Sequence, residues 1–168
     1  MTAKDRIVSG VSWLIVLWIA KVFLFSLPYK FTGHPDTLHI FGTIGGWMQQ
    51  AVGEALGSWF IAYGAYAVGS AELFISVLLL SPLVFCGLKQ LNLVQRIPSR
   101  HLIHGFGGLL ASCVMMGAVF FHLATPLGIE VIHEGQNDHG SLFYAAVSIL
   151  ILGLVMFVVN MPWRHIGK

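Results

Sequence analysis

The chain has 168 residues, of which 57% are hydrophobic and only 10% charged, and its formal net charge is +2. Soluble domains carry about 25% charged residues, so this composition excludes a water-soluble fold and makes the lipid bilayer part of the solvent. Its nine lysines and arginines are scattered without a basic run, which excludes a nucleic-acid-binding chain.

Four apolar stretches of bilayer length and one amphipathic segment follow in chain order. Lys4 and Arg6 precede the first span, 7–27, which is interrupted only by Lys21 and stops at Pro28. No small-x-small cleavage site closes that run, so it reads as a retained helix rather than a signal peptide. Segment 38–57 repeats apolar residues at 40, 41, 44, 48, 51, 52 and 55, a helical period with one wet face. Gly45-Gly46 and Trp47 argue against a full crossing there, so this segment is expected to lie on, or re-enter, the membrane surface. The second span, 60–85, contains Glu72 and Pro82; the third, 103–124, ends at Thr125-Pro126; the fourth, 142–161, precedes Pro162. Each is long enough for roughly 30 Å of hydrocarbon at about 1.5 Å per residue. Backbone amides find no water in lipid, so all four are expected to be helical. The expected fold is a single all-α membrane domain over residues 1–168. It comprises a four-transmembrane-helix bundle with an extra amphipathic or re-entrant helix between the first two spans.

Lysine and arginine set the expected orientation. Lys4 and Arg6 lie before span one, Lys89, Arg96 and Arg100 between spans two and three, and Arg164 and Lys168 after span four. The other two connections hold only Lys30 against Asp36, Glu54, Glu130, Glu134 and Asp138. By the positive-inside rule both termini are cytoplasmic. Small residues spaced four apart, Ala65/Gly69, Ala67/Ala71, Gly107/Ala111 and Gly108/Ser112, are expected to let helices pack closely within the bundle or in a homo-oligomer.

Glu72 is the only carboxylate inside the four apolar stretches. A charge in hydrocarbon costs roughly 2.5–3.5 kcal/mol on insertion scales, so it needs a partner or a task. Counted along the helices, Lys21 lies about 22 Å from Arg6 and Glu72 about 25 Å from Lys89, which would let the two pair across antiparallel neighbours. The pair could be structural, or Glu72 could be a proton-handling or ligand-binding group. Drawn instead as 67–86, span two puts Glu72 near the outer surface, within reach of Lys30, His122 or the acidic loop, with Lys21 auxiliary. His122, His133 and His139, beside Glu130 and Asp138, supply nitrogen and carboxylate donors suited to Zn²⁺ or Cu²⁺, without tight ligand spacing. His101 and His104 share one helical side and read either as metal or haem ligands or as part of a cytoplasmic interface. Cys86 and Cys113 read as small hydrophobes. The chain contains no GxSxG, P-loop or dinucleotide-binding motif and hence no catalytic motif of its own.

Several stretches together resemble the DoxX-like family of small bacterial membrane proteins. They are Tyr29-Lys30-Phe31-Thr32-Gly33, Gly69-Ser70-Ala71-Glu72-Leu73, Gly117-Ala118-Val119-Phe120-Phe121-His122-Leu123 running into Pro126-Leu127-Gly128-Ile129-Glu130-Val131, and Asp138-His139-Gly140 before Ser141-Leu142-Phe143. The resemblance covers nearly the whole chain in order. Lys21, and the longer connection 132–137, depart from the family pattern. The resemblance implies a four-helix bundle in a bacterial inner membrane, in a family named for a subunit associated with thiosulfate:quinone oxidoreduction. It directs attention to Lys30, Glu72, His122, Glu130 and Asp138. The expected function is an accessory subunit of a quinone- or thiol-linked membrane redox system, with a redox protein as partner and quinone as ligand. A small transporter coupled through Glu72, or a purely structural assembly partner, are the alternatives.

Overall fold

A computed structural model describes residues 3–94 and 98–161. Arg96, Arg164 and Lys168, which contribute to the charge asymmetry, lie outside the described residues, as does the Lys4 side chain. The elements are α1 (Ala3–Thr32), α2 (Pro35–Ala51), α3 (Glu54–Gln90), α4 (Arg100–Ala124), a hairpin of β1 (Ile132–His133) and β2 (Gln136–Asn137), and α5 (Ser141–Asn160). Helices α1, α3, α4 and α5 are long and apolar enough to cross a membrane. They alternate in direction: Ser26 meets Glu72, Leu79 faces Gly107, and Ser112 meets Leu150. We call the end where α1 begins and α5 finishes the terminal end, and the opposite one the loop end. The molecule is thus an all-α membrane bundle with one additional helix, α2.

Two helix limits depart from the expectation. Proline was expected to end span one at 27, yet α1 runs through Pro28 to Thr32. Span two was expected over 60–85, yet α3 runs from Glu54 through Pro82 to Gln90. Proline removes one backbone donor, but in lipid a neighbouring hydroxyl can occupy the freed carbonyl. At Pro82 the orphaned carbonyl is that of Leu78, and Ser81 Oγ donates to it at 2.7 Å. The consequence at Pro28 is that Lys30 sits on the helix rather than in a loop.

Helix α2 is shorter than the expected 38–57 and pairs with the first half of α3. Gly53, at φ +122, turns the chain back, a conformation that side chains other than glycine's avoid. Its buried face is Thr37, Phe41, Ile44, Gly45 and Met48. Residues 51, 52 and 55 of the expected stripe are exposed around the turn. Gln49 Nε2 donates to Ser58 Oγ at 2.9 Å. A Cβ on Gly45 would lie 2.9 Å from the Gly57 carbonyl oxygen, so the hairpin closes on two glycines. Ile44 and Met48 also pack against Leu127 and Val131 of the α4–α5 connection. Within that connection the stretch read as a long loop folds into the β1–β2 hairpin, with Ile132 opposite Asn137.

The main core joins Ile15, Val16, Ile19 and Phe23 of α1 to Ile75 and Leu79, Ala111 and Met115, and Ile149 and Met156. Because lipid tails are as apolar as leucine, close backbone approach has to drive helix association. It is closest between α4 and α5, where a Cβ on Gly153 would collide with Ser112 Oγ and lie 2.5 Å from the Gly108 carbonyl oxygen. Ser112 Oγ donates to the Leu150 carbonyl at 2.9 Å across the same contact. Gly153→Ala is therefore expected to lower stability by about 2 kcal/mol or more through overpacking. Gly42→Ala, in α2 with nothing within 4 Å of the new methyl, should raise it by about 0.5–1 kcal/mol. Thermal unfolding of both variants in one detergent checks the contrast.

Candidate functional site

A cavity of about 750 Å³ opens between the helices toward the loop end. Its walls are α1, α2, α3, α4 and the start of α5, and most of its lining is apolar, with Phe25, Ile40, Phe41, Val114, Met115 and Leu142 among it. The polar groups on its surface are Ser26, Lys30, Asp36, Thr37, Glu72, His122, Asp138 and Ser141.

Glu72 is only 3% exposed. Lys30 Nζ donates to its Oε2 at 2.7 Å and to Ser26 Oγ at 2.8 Å. Ser26 Oγ lies 2.7 Å from both Glu72 Oε2 and the Phe23 carbonyl, so its single proton serves one of them at a time. Ser26 and Lys30 are four residues apart and share one face of α1. Gly69, one turn before Glu72, makes the approach possible: a Cβ there would sit 3.2 Å from Phe31 Cζ and 3.4 Å from Lys30 Cβ. The Gly69-to-Glu72 stretch thus combines a gap for α1 with the carboxylate that α1 neutralises. Among the described residues both hydrogen bonds to this carboxylate fall on Oε2.

His122, at the end of α4, is buried, and its Nδ1 lies 2.6 Å from the Gly128 carbonyl oxygen. A carbonyl only accepts, so Nδ1 carries the proton, and in the neutral ring Nε2 is left as an acceptor. Gly128 has φ +72, the left-handed geometry that directs its carbonyl back at the ring. Asp138 organises the same connection. Its Oδ1 accepts from the Val131 and Gly140 amides at 2.7 and 2.9 Å, and its Oδ2 from the Leu142 amide at 3.1 Å. Burial pushes the Asp138 carboxyl up, but the Leu142, Val131 and Gly140 amides and the nearby His122 outweigh it and hold it below the usual carboxylate range.

The structure therefore gathers Lys30, Glu72, His122 and Asp138 around one cavity, joins to them Asp36, read in the sequence only as one of the outer acidic residues, and adds Ser26 and Thr37, which the sequence reading missed. Ser26 would have been legible four residues before Lys30, had the helix been continued past Pro28. Lys21 is not part of the group. It is exposed, with Nζ 5.8 Å from the Trp18 ring centroid, and Glu72 pairs with Lys30 in its place. Glu130 is outside the cavity lining and accepts from Asn137 Nδ2 at 2.7 Å. The expected metal ligands are dispersed. His122 faces the cavity; His133 Nδ1 lies 2.9 Å from Asp36 Oδ1, with its ring stacked on His39; His139 is exposed. Among the described residues no group of three or more His, Cys, Asp or Glu side chains is placed to hold a metal ion. At the terminal end His101 Nδ1 meets Asn160 Oδ1 at 3.0 Å. His104 is fully buried edge-on against Trp13, with neither ring nitrogen hydrogen-bonded. These two histidines do not converge on a shared ligand.

The fold and site define a multi-pass membrane protein with an interhelical cavity built around a buried ion pair. No family model, curated protein or solved structure matches the chain.

Asp138 gives a pH signature. Because its folded pKa is depressed, its stabilising contribution is fully present above the unfolded value of about 3.9 and is lost as pH falls through the folded value. Hydrogen exchange of the Val131, Gly140 and Leu142 amides should accelerate below about pH 4 relative to amides in the α4–α5 contact. Asp138→Asn should remove that acid-dependent difference and leave these amides less protected at neutral pH.

Proposed function

We propose that this protein is a DoxX-like accessory subunit of a membrane redox system and binds a quinone-class amphiphile in the cavity. The observation that carries the reading is a largely apolar chamber in which the Lys30 ammonium, the Glu72 carboxylate and the His122 imidazole share the surface with Ser26, Asp36, Thr37, Asp138 and Ser141. A quinol has an apolar body and two hydroxyls. Its oxidation releases two electrons and two protons, and Glu72 Oε1 and His122 Nε2 are the two acceptors that would receive those protons. Lys30 would donate to the resulting carbonyl oxygen and keep Glu72 from standing alone as a buried charge. Electrons leave to a redox partner, because this chain carries no cofactor-binding motif. The resemblance supports this reading through the same residues, Lys30, Glu72, His122 and Asp138.

The lysine and arginine distribution supports an orientation with both termini cytoplasmic and the cavity toward the outer leaflet of a bacterial inner membrane. Ligand exchange would then occur between helices, from lipid.

Extraction of the protein purified in native membrane discs is expected to yield a quinone detectable by absorbance and mass spectrometry. Glu72→Gln should weaken rebinding of that quinone about tenfold or more, the scale of one charge-assisted hydrogen bond, with the helical circular-dichroism signal intact. Lys21→Met, outside the cavity, should bind like the parent. A wild-type sample that neither copurifies nor rebinds any quinone would sink the reading.

A further inference from the structure

A second recess lies at the opposite, terminal end. A cleft of about 360 Å³ separates Trp13 of α1, the last turns of α3 at Pro82, Leu83 and Cys86, and Arg100 at the start of α4. Its walls are apolar except for the guanidinium. Among the described residues no carboxylate pairs with that guanidinium. Arg100 Nη2 lies 3.3 Å from His101 Nε2, and His101 Nδ1 lies 3.0 Å from Asn160 Oδ1. Asn160 Nδ2 donates to Ser12 Oγ at 2.9 Å and to the Met156 carbonyl at 2.8 Å.

The proton directions follow from that relay. Asn160 spends its amide hydrogens on Ser12 and Met156, so its Oδ1 accepts, and His101 Nδ1 must donate. His101 Nε2 is then free to accept from Arg100, with the ring neutral. The relay contains no carboxylate. The other terminal nitrogen, Arg100 Nη1, has no hydrogen-bond partner among the described residues. The guanidinium fork matches the oxygens of a phosphate or carboxylate.

We infer that this cleft binds an anionic phospholipid from the leaflet at the terminal end, with its phosphate on Arg100 and an acyl chain along Trp13 and Pro82–Cys86. Charge complementarity selects the headgroup, and the apolar walls select an amphiphile over a free anion. Lys89, three residues beyond Cys86 and exposed in the last turn of α3, adds a second positive charge toward the headgroup layer. Basic pockets between membrane helices capture anionic headgroups by this chemistry. The cleft is separate from the loop-end cavity, so the two assignments stand or fall independently.

The test uses the full chain in phosphatidylcholine vesicles doped with phosphatidylglycerol carrying a photoactivatable acyl chain. Crosslinked peptides should map to Trp13 and to the 82–86 turn. The same photoactivatable chain on phosphatidylcholine should label them about tenfold less, the scale of one charge-assisted contact. Arg100→Gln should bring phosphatidylglycerol labelling down to the phosphatidylcholine level, and Arg100→Lys, which keeps the charge, should retain part of the excess. Inorganic phosphate in the buffer should not displace the label. Equal labelling by the two lipids, labelling confined to other helix faces, or undiminished labelling of Arg100→Gln overturns the proposal. Displacement by inorganic phosphate overturns the lipid as occupant and assigns the cleft to a soluble anion. The comparison of the two lipids on the wild-type chain decides the matter even where a variant fails to fold.

Discussion

A carboxylate buried in a membrane protein has to meet its cation on a neighbouring helix, and Lys30–Glu72 at 2.7 Å is the constraint on which the rest of this architecture depends. Desolvating each ion costs several kcal/mol, so such a pair adds little net stability. What it does is forbid slippage. A shift of α1 along α3 by one turn would strand both charges in apolar surroundings and pull Ser26 off the carboxylate. The pair requires α1 to remain helical beyond Pro28, and it requires Gly69 where α1 crosses. It also makes the chain turn immediately afterward, so that α2 rises alongside the first half of α3 and closes the cavity from above.

Small residues play two opposite roles around this frame. On the α4–α5 side Gly108, Ser112 and Gly153 bring backbones together and leave no room for a methyl group. On the other side Ala67, Ala71, Gly117, Ala118 and Ala145 face the open volume. There the same residue sizes create space instead of consuming it. One half of the bundle is a tight pair, and the other half is a chamber propped open by the ion pair and roofed by α2.

The four spans were legible in the sequence because hydrocarbon imposes a length and an apolar composition that few other environments require. The end of span one was not, because Pro28 was read as in water, where proline stops helices; at Pro82 Ser81 on the Leu78 carbonyl shows how a membrane helix continues past a proline. Glu72 stood out as the only carboxylate in an apolar stretch, but its partner did not. Lys21 matched it in depth when counted from Arg6 and Lys89, whereas its azimuth on α1 turns it outward. The stretches Tyr29–Gly33 and Gly69–Leu73 were singled out together for their resemblance, and these are segments that meet in space. The chamber itself was illegible, since it exists only through the placement of α2, whose amphipathic period gave no hint that it would pair with α3. The scattered histidines illustrate the converse: donors that share one end of a bundle in sequence need not share a point in space.

The unequal lengths of the spans bear on which membranes the protein can inhabit. Helix α5 has 20 residues, about 30 Å, close to the hydrocarbon thickness itself. Helix α3 has 37, about 55 Å, and its flanking charges Glu54 and Lys89 are correspondingly far apart. A thicker or thinner bilayer can be met by tilting α3 without drawing either charge into the acyl chains, whereas α5 has no such slack. The short helix therefore sets the preferred membrane thickness, and the long one, with its ends well beyond the hydrocarbon, tolerates departures from it.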